Sequence, residues 1–333
     1  MSRTRSGSLL IITLWLVTIL SLLAVAIGRY LSLDVKMTRY RLAREQANTL
    51  ARDGVYLAMQ RLADDRPEAN GQTYDWEGDD WASFSSGGSA DGRSDVWVIA
   101  FPSPGSGSST VSGRTEIRMT DEERKLDLNA ATKEQLLALV GDDALAQAII
   151  DARDAPDAAE DRPAGQPPYF AKNGPVAAPE ELTDLPGMTP PIYEALRAST
   201  SPYVGAGTAL NINTVSVDVL RLLGLAESTV QMIGTFREGP DGPQEHAEDG
   251  VFTRAGLAIV QTLKDAEGVD LTGTPDGNLL IGPTFGVASQ TFLVHVEGII
   301  DRPPVRARVE AVVRRASCPK DTPAPCLVAW REG

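Results

Sequence analysis

The chain has 333 residues, 42% of them hydrophobic and 23% charged, which is enough apolar material for two or three folded domains and excludes global disorder. Its net charge of −14 is uneven: residues 1–66 hold ten Lys/Arg and five Asp/Glu, and the remainder holds 21 Lys/Arg and 40 Asp/Glu. A body this acidic repels phosphate backbones, which disfavours nucleic-acid binding.

The N-terminus begins with an apolar segment. No residue from Ser6 to Gly28 is charged, and residues 9–27 are long enough to span a bilayer as a helix. Arg3 and Arg5 precede the segment, which predicts a cytoplasmic N-terminus. Three kinds of segment fit: a secretory signal cut after Ala26, a plain membrane anchor, and a prepilin signal that loses residues 1–7 and keeps the apolar helix.

The pattern after Gly28 favours the prepilin signal. Apolar and small residues recur every three or four positions from Tyr30 to Leu62, and no proline occurs before Pro67. The sequence therefore predicts one helix of about 55 residues, roughly 80 Å long, apolar in its first half and amphipathic in its second. A rigid extension of this kind is typical of a pilin stalk.

Short strands and a helical block follow. Residues 64–92 are rich in Asp, Gly and Ser and predict a surface loop, as do residues 102–113. Strands are predicted at 95–101, 114–120, 291–298, 305–313 and 326–330, and most of 121–270 has a helical pattern. The predicted fold class is α+β: a long N-terminal helix packed on a small antiparallel sheet, with a large inserted all-α domain.

The predicted insert contains an internal repeat. Leu126–Asn129 parallels Leu210–Asn213, and each asparagine is expected to cap the helix that follows. Residues 180–196 predict a helix, a tight turn and a second helix. This arrangement is typical of sterile-alpha-motif-like (SAM-like) or helix-hairpin-helix repeats.

These motifs carry a family resemblance. Residues 3–28 resemble the N-terminus of type IV pilins and pseudopilins. Residues 121–140, 151–161, 179–196, 211–220 and 328–333 resemble, in order, landmarks of the minor pseudopilin K family of type II secretion systems. The acidic stretch departs from the family, because it lacks the usual Asn-Gly-Ala-Glu segment.

The resemblance implies a domain plan. It comprises a prepilin leader (1–7), a transmembrane part (8–28) and a periplasmic part (29–65) of the N-terminal helix, the first part of a pilin-like sheet (66–120), an inserted helical domain (121–280, repeats near 121–205 and 206–280) and the second part of the sheet (281–333). It also implies that prepilin peptidase cuts between Gly7 and Ser8 and that Ser8 is methylated. Ile12 stands where most pilins carry glutamate, a pattern that the family associates with the filament tip.

One candidate metal site lies in the acidic run. Asp151, Asp154, Asp157, Glu160 and Asp161 place five carboxylates within eleven residues, and calcium prefers such oxygen ligands. A solvated acidic loop explains the same residues, whereas the resemblance implies calcium. No catalytic constellation accompanies His246 or His295, so we expect a protein that is not an enzyme and requires no cofactor.

The two cysteines, Cys318 and Cys326, lie near the C-terminus. Two alternatives fit: the cysteines are free thiols if the protein is cytosolic, and they form a disulfide if it lies in an oxidising compartment. With the periplasmic location that the resemblance implies, we expect the disulfide.

The predicted function is that of a minor pseudopilin at the tip of the type II pseudopilus, which initiates or caps a filament that exports folded proteins across the outer membrane. The expected partners are the I-type and J-type minor pseudopilins, the major pseudopilin, the inner-membrane assembly platform and prepilin peptidase, without nucleic acid. The expected location is the bacterial inner membrane, in one pass, with the C-terminal body in the periplasm. The alternatives are a membrane-anchored helix-hairpin-helix protein for DNA binding or uptake and, less favoured, an anchored hydrolase; a related pilus or competence system also fits.

Overall fold

A computed structural model of the chain describes residues 6–65, 73–82, 84–85, 93–94, 96–102, 111–154, 172, 174–205, 207–239, 250–316, 318, 322 and 324–333. The first element is helix α1, Ser6–Asp64, of 59 residues. Its leucine-rich, proline-free sequence suits a continuous helix, and Pro67 follows shortly after its end.

The other elements form one sheet and two helical groups. The strands are β1 (Phe84–Ser85), β2 (Arg93–Ser94), β3 (Trp97–Pro102), β4 (Val111–Asp121), β5 (Leu126–Asp127), β6 (Thr200–Ser201), β7 (Leu210–Asn211), β8 (Phe285–Gly286), β9 (Thr291–Ile300), β10 (Val305–Arg314) and β11 (Cys326–Glu332). The α-helices are α2 (Lys133–Val140), α3 (Asp143–Arg153), α4 (Pro190–Ser199), α5 (Val217–Leu222), α6 (Glu227–Glu238), α7 (Leu257–Glu267) and α8 (Pro275–Ile281). Short 3-10 helices cover Glu122–Arg124 and Pro179–Asp184.

Five strands form an antiparallel sheet in the order β11-β10-β9-β4-β3. Side chains alternate along the strands, so that one sheet face is apolar, for example at Ile117, Val294 and Val296. Helix α1 packs on this apolar face through β9, β10 and β4. The fold class predicted from the sequence, a long helix on an antiparallel sheet in a mixed α and β protein, is confirmed.

Small residues bring α1 unusually close to the sheet. The helix buries Ala43, Ala47 and Ala51 against the strands. A Cβ added at Gly298 of β9 would lie 2.0 Å from the carbonyl oxygen of Ala47, and one added at Gly54 would lie 2.5 Å from Val296. These two glycines permit direct contact between the helix backbone and the sheet.

Two helical modules lie between β4 and β9. The first module, residues 122–205, packs α2, α3 and α4 around its own core, and the second, residues 207–289, packs α5 to α8 around another. Each is closed by a short parallel pair, β5 with β6 in the first and β7 with β8 in the second.

The modules share their hydrogen-bond scheme. Asn129 accepts from and donates to the backbone of Val176, and Asn213 does the same with Phe252. The first helix of each module ends near a glycine with positive φ, Gly141 at 71° and Gly224 at 86°. The two asparagines therefore hold two segments of chain together in the same way.

The predicted helix caps were wrong in one respect. Thr132 and Ser216, three residues after the asparagines, accept hydrogen bonds from the first-turn amides of α2 and α5. The side chains of Asn129 and Asn213 bond distant backbone groups instead of a helix terminus. Both the asparagine and the Thr or Ser three residues later are residue types that cap helices, and only the tertiary structure shows which of them does so.

The predicted surface loop at 64–92 was also wrong for its described part. Trp81 is 2% exposed and packs edge-on against Phe292, with ring centroids 4.9 Å apart. Asp75 is 2% exposed and its amide donates to the carbonyl of Val287 at 2.7 Å. Residues 73–82 thus form a strap between the sheet and the second module, anchored by buried side chains such as Asp75 and Trp81.

Candidate assembly surface

The first part of α1 is an exposed apolar rod. Large hydrophobic residues from Leu10 to Leu42 are exposed by half or more, including Trp15 at 65% and Leu33 at 60%. Among the described helices, α1 is the one long and apolar enough to cross a membrane, with a mean hydropathy of 2.8 over its most apolar window. Exposure on this scale requires a membrane or partner subunits to cover the rod.

The stripe predicted along α1 divides into two parts. Tyr30, Leu33, Met37 and Tyr40 are exposed, whereas the stripe from Ala43 onward is buried on the sheet. The second half of the helix therefore packs on its own domain, and the first half offers an uncovered face for assembly.

The predicted processing junction lies at the start of this rod. The backbone of Gly7 and Ser8 is helical, since α1 begins at Ser6. Ile12, where most pilins carry glutamate, is 59% exposed. Cleavage between Gly7 and Ser8 and methylation of Ser8 stay predictions.

The other end of α1 enters a buried polar junction that sequence reasoning missed. The junction cluster consists of Asp65, Asp75, Asp121, Glu123 and Arg315, all at most 9% exposed. The Arg315 guanidinium lies 2.6 Å from Asp75 and 3.4 Å from Asp65. Two of the four carboxylates, from the helix end and the strap, thus meet one arginine that follows β10, and the other two lie at and just after the end of β4.

Hydrogen bonds tie the cluster to the second module. The Asp121 carboxylate accepts from the hydroxyl groups of Thr214 and Ser289, at 2.5 and 2.6 Å, and from the Asn211 amide at 3.3 Å. The Glu123 carboxylate accepts from the backbone amide of Gln290 at 2.9 Å. The cluster therefore joins stalk, sheet and second module at one point.

Burial shifts the acidity of these groups. Loss of solvent raises the pKa of Asp65 to about 7 and that of Asp121 to about 6, and Arg315 opposes the shift at Asp65. Burial, reinforced by the neighbouring Asp121 charge, raises the pKa of Glu123 to about 8. Between the ordinary carboxyl pKa and these raised values, the three groups therefore stay protonated in the folded protein and are ionised in the unfolded chain.

We expect Glu123→Gln to be more stable than the unsubstituted chain at pH 8, by about 1–3 kcal/mol. The unfolded glutamate ionises near pH 4.5 and the folded one near pH 8, so stability from this group falls as pH rises through that window. Urea unfolding of both proteins at pH 5 and pH 8 measures the effect. An advantage that is equal at the two pH values would contradict the charge argument.

The outer face of the sheet forms a charged cleft of about 560 Å³ against α4. Glu310 lies 3.2 Å from His295 and also pairs with Arg197 of α4 and Arg331 of β11, at 3.6 and 3.4 Å. The hydrogen bond from His295 and the guanidinium charges lower the pKa of Glu310 to about 2. His295 thus contributes to an ion-pair network that ties the first module to the sheet, while His246 lies outside the described residues.

The candidate calcium residues are described only in part. Asp157, Glu160 and Asp161 lie outside the described residues, and Asp151 accepts a hydrogen bond from Gln147 at 2.8 Å. Asp154 terminates α3. Within the described ranges no group of three or more acidic, histidine or cysteine side chains is arranged to hold a metal ion.

The cysteines lie at the start of the edge strand β11. Cys318 and Cys326 form a disulfide, with Cα atoms 6.0 Å apart, and Cys326 is buried. The bridge links the segment after Arg315 to the first residue of β11.

The turn between α2 and α3, where a phosphate-binding hairpin would hold its ligand, does not offer a phosphate site. The Asp142 carboxylate caps α3 by accepting from the amides of Ala144 and Leu145, at 2.8 and 3.0 Å. These amides are the donors that a phosphate would need, and a carboxylate already occupies them.

Comparisons with known proteins agree with this architecture. Residues 117–205 match the family described as "Type II secretion system (T2SS), protein K". The crystal structure of the GspK-GspI-GspJ complex from the enterotoxigenic Escherichia coli type 2 secretion system contains a chain of the same fold, GspK, at a TM-score of 0.61 and 16% identity. The match covers 89% of this chain and 99% of that one. No curated protein sequence matches significantly. The resemblance to pseudopilin K predicted from the sequence is confirmed.

Proposed function

We propose that this chain, which is similar to pseudopilin K, is a tip subunit of a type II secretion pseudopilus and initiates or caps filament assembly. The observation that carries the proposal is the exposed apolar rod of α1, fixed to a body that contains a T2SS protein K match at residues 117–205. A rod of this kind needs partner helices once it leaves the membrane. Isoleucine at position 12 supports the tip position. A glutamate that found no partner there would be a buried unpaired charge, and isoleucine avoids that cost.

The partners we propose are subunits of the I and J types. The solved complex contains GspK together with GspI and GspJ, and its chain shares this fold. The uncovered face of α1 at Leu33, Met37 and Tyr40 is the surface we assign to these contacts. The major pseudopilin, the assembly platform and prepilin peptidase complete the proposed set.

The proposed location is the inner membrane, with α1 crossing it once and the body in the periplasm. The disulfide between Cys318 and Cys326 supports an oxidising compartment for the body. The proposed role is mechanical and needs no catalytic group. The DNA-binding alternative is not favoured, because the modules are acidic and Asp142 occupies the candidate phosphate donors.

We expect co-expression with prepilin peptidase and the I-type and J-type subunits to give a chain shortened by residues 1–7 and bearing one added methyl group. Intact mass of the membrane-extracted protein measures the processing, and co-purification measures assembly. An uncut chain, or a cut after Ala26, would contradict the pilin pathway.

A matched pair of variants tests the assembly face. Leu33→Gln with Met37→Gln should reduce co-purification of the I-type and J-type subunits severalfold, because it places two polar groups in an apolar helix contact. Leu257→Gln alters an equally exposed leucine, at 56%, on the second module and should leave co-purification unchanged. Equal behaviour of the two variants would argue against this face.

Calcium binding by the acidic run 151–161 stays part of the proposal. The run ends α3 and supplies the oxygen ligands that calcium prefers. We expect calcium to raise the melting temperature of the protein, and the five residues changed to Asn or Gln to abolish the shift. The absence of both calorimetric heat and a melting shift would remove this part.

A further inference from the structure

A basic face follows the apolar segment of α1. Residues 29–44 contain five basic residues and one acidic residue. Every residue of this segment is exposed except Ala43, which is buried. At 3.6 residues per turn, four of the basic residues fall within about 140° of the helix circumference, while Asp34 lies on the opposite side. These four are Arg29, Lys36, Arg39 and Arg44. Leu33 and Tyr40, assigned above to partner contacts, lie within the same arc, so anionic lipid and partner subunits would occupy this side of α1 in turn and not together.

This face is continuous with the side of α1 that packs on the sheet. By the same helical spacing, Ala47, Ala51 and Gly54 lie on the side that carries Arg29 and Lys36. Ala47 and Gly54 contact β9. The basic face therefore points into the space between the end of the sheet and the membrane.

The sheet carries two more arginines toward the same space, together with one acidic residue, Asp301, which pairs with Arg114 at 3.0 Å. Along β9, Val296 lies opposite Gly54 and Gly298 opposite Ala47, so the strand runs toward the N-terminal end of α1. The turn between β9 and β10 is therefore at the membrane-facing end of the body. It presents the exposed Arg302, and Arg306 beside it has a side chain that is 68% exposed and lies 3.3 Å from Glu297.

The dimensions bring the part of the basic face from Arg29 to Arg39 within reach of a bilayer surface. The basic face spans about 22 Å of helix, beginning just after the apolar segment ends near Ile27. The headgroup layer extends about 5–7 Å beyond the hydrocarbon, and the Debye length adds about 8 Å. Lysine and arginine side chains on a helix incline toward its N-terminus, which here is toward the membrane.

Membrane orientation does not explain these charges. Only Arg3 and Arg5 precede the apolar segment, so the excess of basic residues lies on the flank predicted to be exported. The positive-inside rule alone would place that excess in the cytoplasm, so the proposed orientation rests on the prepilin-like N-terminus and the disulfide, and the basic residues need another explanation. The remainder of the body, with 21 basic and 40 acidic residues after position 66, is itself repelled by an anionic surface.

We propose that the basic collar, defined as Arg29, Lys36, Arg39, Arg44, Arg302 and Arg306, binds the headgroups of anionic phospholipids in the membrane that anchors α1. Attraction between the collar and the headgroups draws the membrane-facing end of an otherwise acidic body toward the bilayer. It thereby sets the distance of the body from the membrane and its orientation before the subunit enters a filament. This proposal rests on the membrane anchoring in the proposed function, but not on processing or on partner subunits.

Arginine footprinting of the full, uncut chain tests the collar. The chain is placed in nanodiscs of phosphatidylcholine, with or without phosphatidylglycerol, at low and high salt, and modification by phenylglyoxal is followed by mass spectrometry. We expect Arg29, Arg39 and Arg302 to react about fivefold more slowly with phosphatidylglycerol at low salt. Arg254, exposed on the second module, should react equally in all discs.

Charge-matched variants complete the test. Lys36→Gln, Arg39→Gln and Arg302→Gln together should abolish the lipid-dependent protection of Arg29. Lys133→Gln, Arg221→Gln and Lys264→Gln together, on the modules, should preserve it. Equal rates in both discs would overturn the proposal. So would equal protection by inorganic phosphate, or protection that requires acidic partner subunits and no anionic lipid. These outcomes are independent of the processing and co-purification experiments, which test the proposed function separately.

Discussion

Gly298→Ala is expected to destabilise the body by ~3 kcal/mol or more. The added methyl carbon would lie 2.0 Å from the carbonyl oxygen of Ala47 and 2.8 Å from the amide nitrogen of Ala51. Both are backbone atoms of α1, so no side-chain rotation relieves the overlap, and the helix must move away from β9. Urea unfolding of the detergent-solubilised full chain, followed by tryptophan fluorescence, to which the buried Trp81 contributes, measures the loss.

Gly234→Ala is the matched control. Gly234 lies within α6, and a Cβ there has no neighbour within 4 Å. Alanine favours a helix over glycine, so this variant should be unchanged or more stable by up to about 1 kcal/mol. If the two substitutions had similar effects, close contact between α1 and the sheet would not be a determinant of stability.

Local periodicity allowed the sequence to predict the stalk and the sheet. Helix α1 has no proline and keeps an apolar spacing over its whole length, and β9 and β10 alternate between apolar and polar residues. Both patterns depend on neighbours a few positions apart, so they can be recognised without knowing the tertiary structure. The similarity of Leu126–Asn129 and Leu210–Asn213 likewise pointed to the repeated modules.

The junction cluster could not be predicted in the same way. Asp75 and Arg315 are 240 residues apart in the chain, and Asp75 lies in a stretch whose Asp, Gly and Ser content is typical of a surface loop. Trp81, in the same stretch, was the available signal, because a large aromatic residue in a polar segment often marks a buried anchor. Its contact with Phe292 depends on strand pairing that composition does not reveal.

The two structural determinants act at opposite ends of the docked helix. At the N-terminal end of the docked part, Gly298 allows α1 to lie directly on the sheet. At the far end, Arg315 fixes the helix terminus and the strap to the end of β10. Both contacts therefore fix the docked part of α1 to the body.

We expect Arg315→Met to cost about 3–5 kcal/mol at pH 8, because it removes the guanidinium while leaving the carboxylates of Asp65 and Asp75 buried. Arg315 is 4% exposed, and its guanidinium also lies 4.7 Å from the centre of the Phe292 ring, so methionine preserves much of the apolar packing. Urea unfolding of the full chain measures the loss. Arg306→Met, at an exposed ion pair, is the control and should cost less than about 1 kcal/mol.

The pH dependence distinguishes lost charge from lost packing. Burial already raises the pKa of Asp65 to about 7, and removal of Arg315, which lowers it, must raise it further. Below that pKa the folded carboxyl is neutral and needs no cation, so the cost of Arg315→Met should shrink at pH 5 and grow as pH rises through 7. Asp75→Asn combined with Arg315→Met should recover part of the loss at pH 8. A cost that is equal at both pH values and unaffected by Asp75→Asn would show that Arg315 acts through packing, and the junction would then be an apolar contact with incidental charges.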